Sequence, residues 1–571
     1  MSRLALIPLL CGAVVCTELV ARQAPEAAPA DTTGKATVEG LVLNQITKEP
    51  LKRVEVQLFR IEKSSVNMVG QDNAAYSAVT DAEGKFRIEN IESGAYRLER
   101  RKSGFVSGRG GLYNMSSGAL TLTAGEKLNS LRYYLTPQAI VNGRVLDDEG
   151  EPVQGASVML IRPVYMRGTR RLVQTGQAQT NDRGEYRIIN VQPGKYHIKA
   201  DLGRAMMGTP AGPAVTPQPG APRMAFVSTY YPNAPELAQA TRIEIAAGQE
   251  VSGQDITLRK ERVVKVSGKL LEPDGSAAKN VYMMLAPRDM LSFSGGMSAP
   301  TDNKGAFTLN NLRPGEYTVL ANRMDGSGGG QQNVLQLQVG ETDADNVTLQ
   351  LQPVLEGGGA FVLEGSERKD VDFAGCSVNA TSADSSVFGG GYGVAKSDGT
   401  FKLERLSAGK VTLGAYCRSA GDSYIKSILV GGEDVFGREI EAASLSSGGI
   451  RVILRTDVAS VNGTLDIPEE KKAALRQPLV VLFPADDRLR KAGQSNQAQI
   501  DQKSHFENKA VRPGEYFAFA FEDADYSTLP DPEFFALIQS KAVRVTLAPG
   551  ESKTLDLKLM PWPEEFADRI Q

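Results

Sequence analysis

A ten-residue spacing between two glycines recurs along the chain and restricts its fold more than any other feature. Gly84, Gly184, Gly305 and Gly399 precede Gly94, Gly194, Gly315 and Gly409 by ten residues, and Ser504 stands in the same relation to Gly514. Two residues after the first position comes an aromatic in every copy: Phe86, Tyr186, Phe307, Phe401 and Phe506. The full motif reads TDAEGKFRIENIESGAY at 80–96, TNDRGEYRIINVQPGKY at 180–196 and TDNKGAFTLNNLRPGEY at 301–317. A weaker copy, SDGTFKLERLSAGKV, ends at Val411, and a fifth keeps VRPGEY at 511–516. A pattern repeated with fixed internal spacing marks an array of similar units.

The motif has a direct physical reading as turn, strand, turn, strand. Gly84 and its counterparts supply the positive φ that a tight turn after Asp or Asn requires. The aromatic and the aliphatic two residues later share one face of a strand. The second glycine turns the chain again, and Tyr96, Tyr196, Tyr317 or Tyr516 opens the next strand. A tyrosine there has the place of a corner tyrosine, whose ring packs while its hydroxyl serves nearby backbone. An earlier strand carries a glycine at Gly40, Gly143, Gly268, Gly357 and Gly463, and each copy closes on an alternating strand such as AGQEVSGQDITL from Ala247. These elements predict about seven short strands per unit, an all-β chain of about five tandem immunoglobulin-like or prealbumin-like sandwiches.

The pattern G-x-V, P-V-x-G-A-x-V, T-D-x-x-G-x-F/Y, L-x-P-G-x-Y resembles the carboxypeptidase regulatory-like, or prealbumin-like, domain. Several copies, with TYYPN at 229–233 before a closing strand, are similar to large secreted repeat proteins of soil bacteria. The resemblance implies an accessory module with a carbohydrate-binding-like fold and no cofactor, and it leaves function open.

A chain of 571 residues is too long for one hydrophobic core. The expected division is a signal peptide at 1–21, an Ala/Pro-rich spacer at 22–36, and sandwiches at 37–136, 137–260, 261–353, 354–456 and 457–561. The second carries a Pro/Gly-rich loop at 206–224, the fifth a short helical insert at 531–541, and 562–571 is a tail. Arg3 followed by the short apolar run 4–16 gives the export signal its form, and no later segment is apolar for long enough to cross a bilayer. Leu10 and Val15, before Cys11 and Cys16, are larger than the small residue that lipidation prefers. Export implies the periplasm, the cell surface or release. A net charge of −3 without long basic blocks argues against nucleic acid. Short linkers between sandwiches predict an elongated particle.

The candidate sites are few. Only His197 and His505 are present, in different units, without a zinc-protease motif or a G-x-S-x-G elbow, so neither metal nor catalytic residues are assigned. Asp81 and Glu83 hold two carboxylates near one turn, but other copies carry Arg183 and Lys304 there, which disfavours calcium. Lys–Asn cross-links of the pilin kind need a lysine on the first strand, which Gly40 to Leu43 do not supply; Glu99 is only a loose echo of the required acid. Cys376 and Cys417 share the fourth unit and are read either as a disulfide, allowed outside the cytoplasm, or as two small buried apolar side chains. Tyr230 and Tyr231 are the candidate sugar-stacking rings, with Tyr133 and Tyr134 behind them, against a packing role. The expected function is a non-catalytic exported binding or scaffold protein, with a carbohydrate-binding array as the alternative; the partners implied are a polysaccharide or an envelope protein.

Overall fold

Strand order repeats five times in the computed structural model. It describes residues 34–60, 75–106, 118–166, 169–202, 223–287, 295–297, 300–323, 331–365, 371–382, 390–406, 408–417, 419–446, 449–468, 475, 478–522, 524 and 528–563. The expected signal peptide, nearly all of the spacer, most of the loop at 206–224 and the end of the tail lie outside these. In each unit a glycine-bearing strand pairs antiparallel with the motif strand and parallel with the closing strand. Ala36–Asn44 lies between Lys85–Ile91 and Lys127–Pro137, and Val264–Leu271 lies between Ala306–Leu312 and Ala344–Gln350. The same mixed arrangement holds for Ala139–Leu146, Leu355–Glu364 and Ala459–Thr464. A second sheet closes the sandwich in every unit but the fourth; in the first unit it runs Tyr76–Val79, Glu55–Arg60, Gly94–Arg101, Gly118–Leu122.

Period-two burial explains why these segments are strands. In Lys85–Ile91 the side chains of Phe86, Ile88 and Ile91 are buried and those between are exposed; Ala306–Leu312 and Thr400–Leu406 repeat the pattern. The one break in alternation is a bulge before the last residue, where Asn90, Asn190, Asn311 and Arg405 take positive φ of 57–62°. The bulge brings Ile91, Val191, Leu312 and Leu406 back to the inner face. Asparagine tolerates that conformation better than most residues. Each unit then buries its own apolar cluster, centred on Tyr96 and Phe86, Tyr196 and Tyr186, Phe307 and Val319, Phe401 and Leu413, or Tyr516 and Phe506.

The fourth and fifth units depart from the plain pattern. In the fourth, Tyr392–Val394 pairs with both Cys376–Ser382 and Thr400–Leu406, so nine strands form one continuous sheet. In the fifth, all six residues of Leu479–Pro484 are buried, the continuous apolar run expected of a strand covered on both faces. Val480 and Leu482 face the sandwich core. Leu479, Val481 and Phe483 face a second cluster formed with Phe534, Phe535 and Ile538 of the helix Pro532–Ile538. Asp531 caps that helix by accepting from the Glu533 N–H. Trp562, expected in a tail, stacks on Phe534 with ring centroids 4.7 Å apart and closes this cluster. A helix that the sequence did not suggest, Asp487–Lys491, puts Leu489 into the fourth unit's core.

Candidate functional site

The recurrent polar residues are where chemistry would be sought, and the structure shows what each one contacts. The threonine that opens the motif is buried and makes two backbone bonds. Thr80 Oγ1 donates to the Leu51 carbonyl at 2.6 Å and accepts from the Val54 N–H at 2.9 Å. Thr180 repeats this with Val153 and Ala156, and Thr301 with Ala278 and Val281. This staple between the motif turn and the preceding strand was legible only as the shared first letter of the three full copies of the motif; the fourth and fifth carry Ala395 and Ile500 there.

The next position binds its own turn. Asp81 Oδ1 accepts from the Lys85 N–H, Asn181 from Arg183 and Glu185, Asp302 from Lys304 and Ala306, and Asp501 from Lys503 and His505; the fourth unit has Lys396 there, and Asp398, directly before its glycine, accepts from Thr400 instead. The N–H groups of Ala306 and Lys304 hold the Asp302 carboxyl below the usual range. Glu83 is exposed beside Asp81, and among the described residues no group of three or more His, Cys, Asp or Glu side chains could hold a metal.

Gly84, Gly184, Gly305 and Gly399 have φ of 69–87°, and Ser504 takes 62° in their place. A side chain at such φ costs roughly 1–2 kcal/mol, partly offset by the greater freedom of glycine in the unfolded chain. Ser504→Gly is therefore expected to stabilise the fifth unit by about 0.5–1 kcal/mol. Chemical denaturation followed through Trp562 checks this; a loss of stability would contradict it.

Gly94, Gly194, Gly315 and Gly514 open strands whose third residue is the tyrosine. All four tyrosines make the corner bond to the carbonyl four residues earlier. Tyr96 donates to Glu92 at 2.8 Å, Tyr196 to Gln192 at 3.0 Å, Tyr317 to Arg313 at 3.1 Å and Tyr516 to Arg512 at 2.6 Å. Burial, the main cause, pushes the Tyr96 and Tyr516 hydroxyls up to about 12. The fourth unit has buried Val411 there and no such bond.

The residue that receives the corner bond also acts outward, a role the sequence reading missed. Arg313 reaches the preceding unit, donating to the Pro235 carbonyl at 3.1 Å, and pairs at 2.9 Å with Glu261 at the junction, on the strand Arg259–Arg262 that pairs with Met224–Val227 of that unit. Arg512 donates to the Ile425 carbonyl at 3.2 Å and lies over the Tyr424 and Phe436 rings. Arg488 adds a contact to Asp434 at 3.3 Å. The recurrence of R-P-G-E-Y in two copies was the available signal. In the first unit Glu92 pairs instead with Lys35 and Arg60 of its own unit.

The strand glycine answers a close approach by the closing strand. A Cβ on Gly143, Gly268 or Gly463 would collide with the carbonyl oxygen of Gln254, Val347 or Leu555, and one on Gly40 with Leu131 and the Phe86 ring. In the first and third units the closing strand bulges at this point. In the fourth unit the equivalent residue is Gly359, opposite Phe401, and not Gly357, which lies opposite Leu403. The run of three glycines had hidden the register.

The remaining candidates are scattered. His197 lies on Gly194–Asp201, where burial and then Arg242 lower its pKa, and His505 sits 4.0 Å from Asp501. Glu99 pairs with Arg97 and Arg101. Tyr230 is 7% exposed and packs with Met159, Ile161 and Leu172, so it presents no open stacking face. Tyr231 packs partly against the second core. Tyr133 is half-buried beneath the Arg100 guanidinium, and Lys48 lies over Tyr134. Cys376 and Cys417 face each other in register and are joined by a disulfide.

Solved structures similar to this chain include a streptococcal ancillary pilin (12% identity, TM-score 0.16, 56% of this chain and 99% of that one). The minor pilin GBS52 of Streptococcus agalactiae matches at 15% identity and TM-score 0.20, covering 40% and 97%. The major pilin SpaD of Corynebacterium diphtheriae matches at 9% and 0.18, covering 57% and 100%. No curated protein matches the chain. The family model for the carboxypeptidase regulatory-like domain matches residues 37–129 and 140–224, two stretches that are similar to that domain.

Proposed function

We propose that the chain is an exported, non-catalytic scaffold and binding protein that holds surfaces in place through its sandwiches. The observation that carries this reading is the use of the recurrent polar side chains. Thr80, Asp81, Tyr96 and their counterparts bind backbone of their own unit, and Arg313 and Arg512 bind the neighbouring one. Residues engaged in this way build a frame, whereas a hydrolase needs a polar group aimed at a vacant reacting position. Incubation of the full-length protein with peptide and glycoside panels is expected to give no turnover. Turnover abolished by a single point substitution would overturn the proposal. The disulfide supports export, because cytosolic thiols are kept reduced. Alkylation of the protein as isolated from its host should leave Cys376 and Cys417 unlabelled; labelling of both would count against export.

One observation favours the carbohydrate reading as a second proposal. Three large apolar side chains are more than half exposed on one face of the fourth unit: Tyr392, Val394 and Tyr416. Register puts Asn379 opposite Tyr392 and Gly414, and Ser377 opposite Val394 and Tyr416. Two rings therefore flank an uncharged strip of amide and hydroxyl groups, a surface suited to a neutral glycan. Tyr392→Ala together with Tyr416→Ala should abolish retention on an insoluble neutral polysaccharide. Retention unchanged by both substitutions, or none by the unaltered protein, removes this reading.

A further inference from the structure

Short linkers predict an open string, yet the first and fifth units touch. The contact is made by the motif turn of the fifth unit. Lys503 Nζ lies 2.7 Å from Glu126 Oε1, and Gln502 Nε2 donates to the Thr121 carbonyl at 2.9 Å. Both partners are held in place by their own units. Asp501 fixes the Lys503 turn through two backbone N–H groups. Glu126 accepts from the Thr123 N–H and hydroxyl with its other oxygen, which leaves Oε1 for Lys503. Glu126 is only 12% exposed on its side chain. Burial there would raise its carboxyl, but the bonds from Lys503 and Thr123 outweigh this and hold it below the usual range.

Among the described residues, the equivalent turns of the second and fifth units lack this second half. In the second unit Gln249 takes the place of Glu126 and caps Ala246 in the same way, without a carboxylate. In the fifth unit Glu551 caps Ala548 and pairs with Lys553, two residues away. The cap belongs to the fold; its use as a docking point belongs to the first unit.

We infer that Lys503 and Gln502 of the fifth unit form a clasp with Glu126 and Thr121 of the first, closing the five-unit chain end to end. A surface ion pair contributes only ~0–1 kcal/mol between separate molecules. Within one chain the linker holds the two ends at high effective concentration, so a weak contact can keep them together. Arg313 and Arg512 stiffen two of the junctions between the ends. Because the clasp is an ion pair near the surface, salt screens it, with a Debye length of about 10 Å at 0.1 M. The array is thus a closed frame at low ionic strength that opens as salt rises. The same two surfaces on separate copies would give a head-to-tail chain instead.

Zero-length carbodiimide cross-linking of the dilute full-length protein tests this, with peptide mass spectrometry of the monomer band. The expected product is an amide between Lys503 and Glu126, with its yield falling several-fold when salt is raised from 0.05 to 0.5 M. The pair Lys260–Asp148, 2.7 Å apart within the second unit, is the internal control. Its cross-link without the Lys503–Glu126 product would overturn the closure, as would a Lys503–Glu126 product confined to dimers. Small-angle scattering adds a reading independent of the chemistry. Lys503→Gln should enlarge the radius of gyration at low salt to the value the unaltered protein reaches at high salt, and an unchanged radius in both would also overturn it.

Discussion

Gly268→Ala should remove the third sandwich from the folded protein while the other four remain. The added Cβ meets the Val347 backbone carbonyl, and the strand that carries Gly268 cannot move away without breaking the ladder on its other side, where Gly268 is paired with Phe307. Overpacking against backbone is expected to cost at least ~3 kcal/mol, a large part of the stability of one small domain. Gly275→Ala separates crowding from backbone conformation. Gly275 has φ of 83° and nothing within 4 Å of the added atom, so its cost should be limited to about 1–2 kcal/mol. Urea denaturation with hydrogen exchange resolved by peptide measures both. Equal losses for the two variants would refute the close-approach account of the strand glycine.

Reduction of Cys376–Cys417 should lower the stability of the fourth unit by about 4 kcal/mol, from closing a loop of this length in the unfolded chain; the two residues are 41 apart in sequence. The pair joins two of the strands that frame the core around Val378 and Leu413. Cys376→Ala with Cys417→Ala should reproduce the effect of a reductant. Alanine is the right replacement because Cys376 is fully buried, and serine would add a buried hydroxyl. Hydrogen exchange with and without reductant should differ at 354–456. Identical exchange there in both states, with both thiols shown to be free after reduction, would contradict the prediction.

Much of the frame was readable because the residues that repeat are those that set backbone conformation. Asp-x-x-Gly and Pro-Gly-x-Tyr specify turns through side-chain-to-backbone bonds and positive φ, which are local in sequence. What escaped was set by contacts between distant segments. Leu479–Pro484 reads as an apolar strand, but nothing local says that a helix and Trp562 cover its second face. Adjacent tyrosines on a strand place one ring inward, which favoured packing over stacking for Tyr230 and Tyr231; what stayed hidden was that Tyr230 enters a separate small core with Met159 and Ile161. Tyr392 and Tyr416 are far apart in the chain and meet only through the register of Cys376–Ser382. Leu489 is an ordinary apolar residue of its own helix until it enters the fourth unit's core. The arginine before Pro-Gly was written twice in the sequence, but its target lies in the preceding unit and has no local signature.

The central claim is that the recurrent motif builds each sandwich and that its buried threonine, turn carboxylate or amide and corner tyrosine bond to backbone of that same sandwich. The buried threonine is the sharpest place to test it. Thr180→Val keeps the shape of the side chain and removes both bonds to Val153 and Ala156, at an expected cost of about 1–3 kcal/mol. Hydrogen exchange on the full-length protein should quicken within 137–260 and stay unchanged in the other four units. Exchange unchanged throughout, or quickened across all five units, would contradict the account.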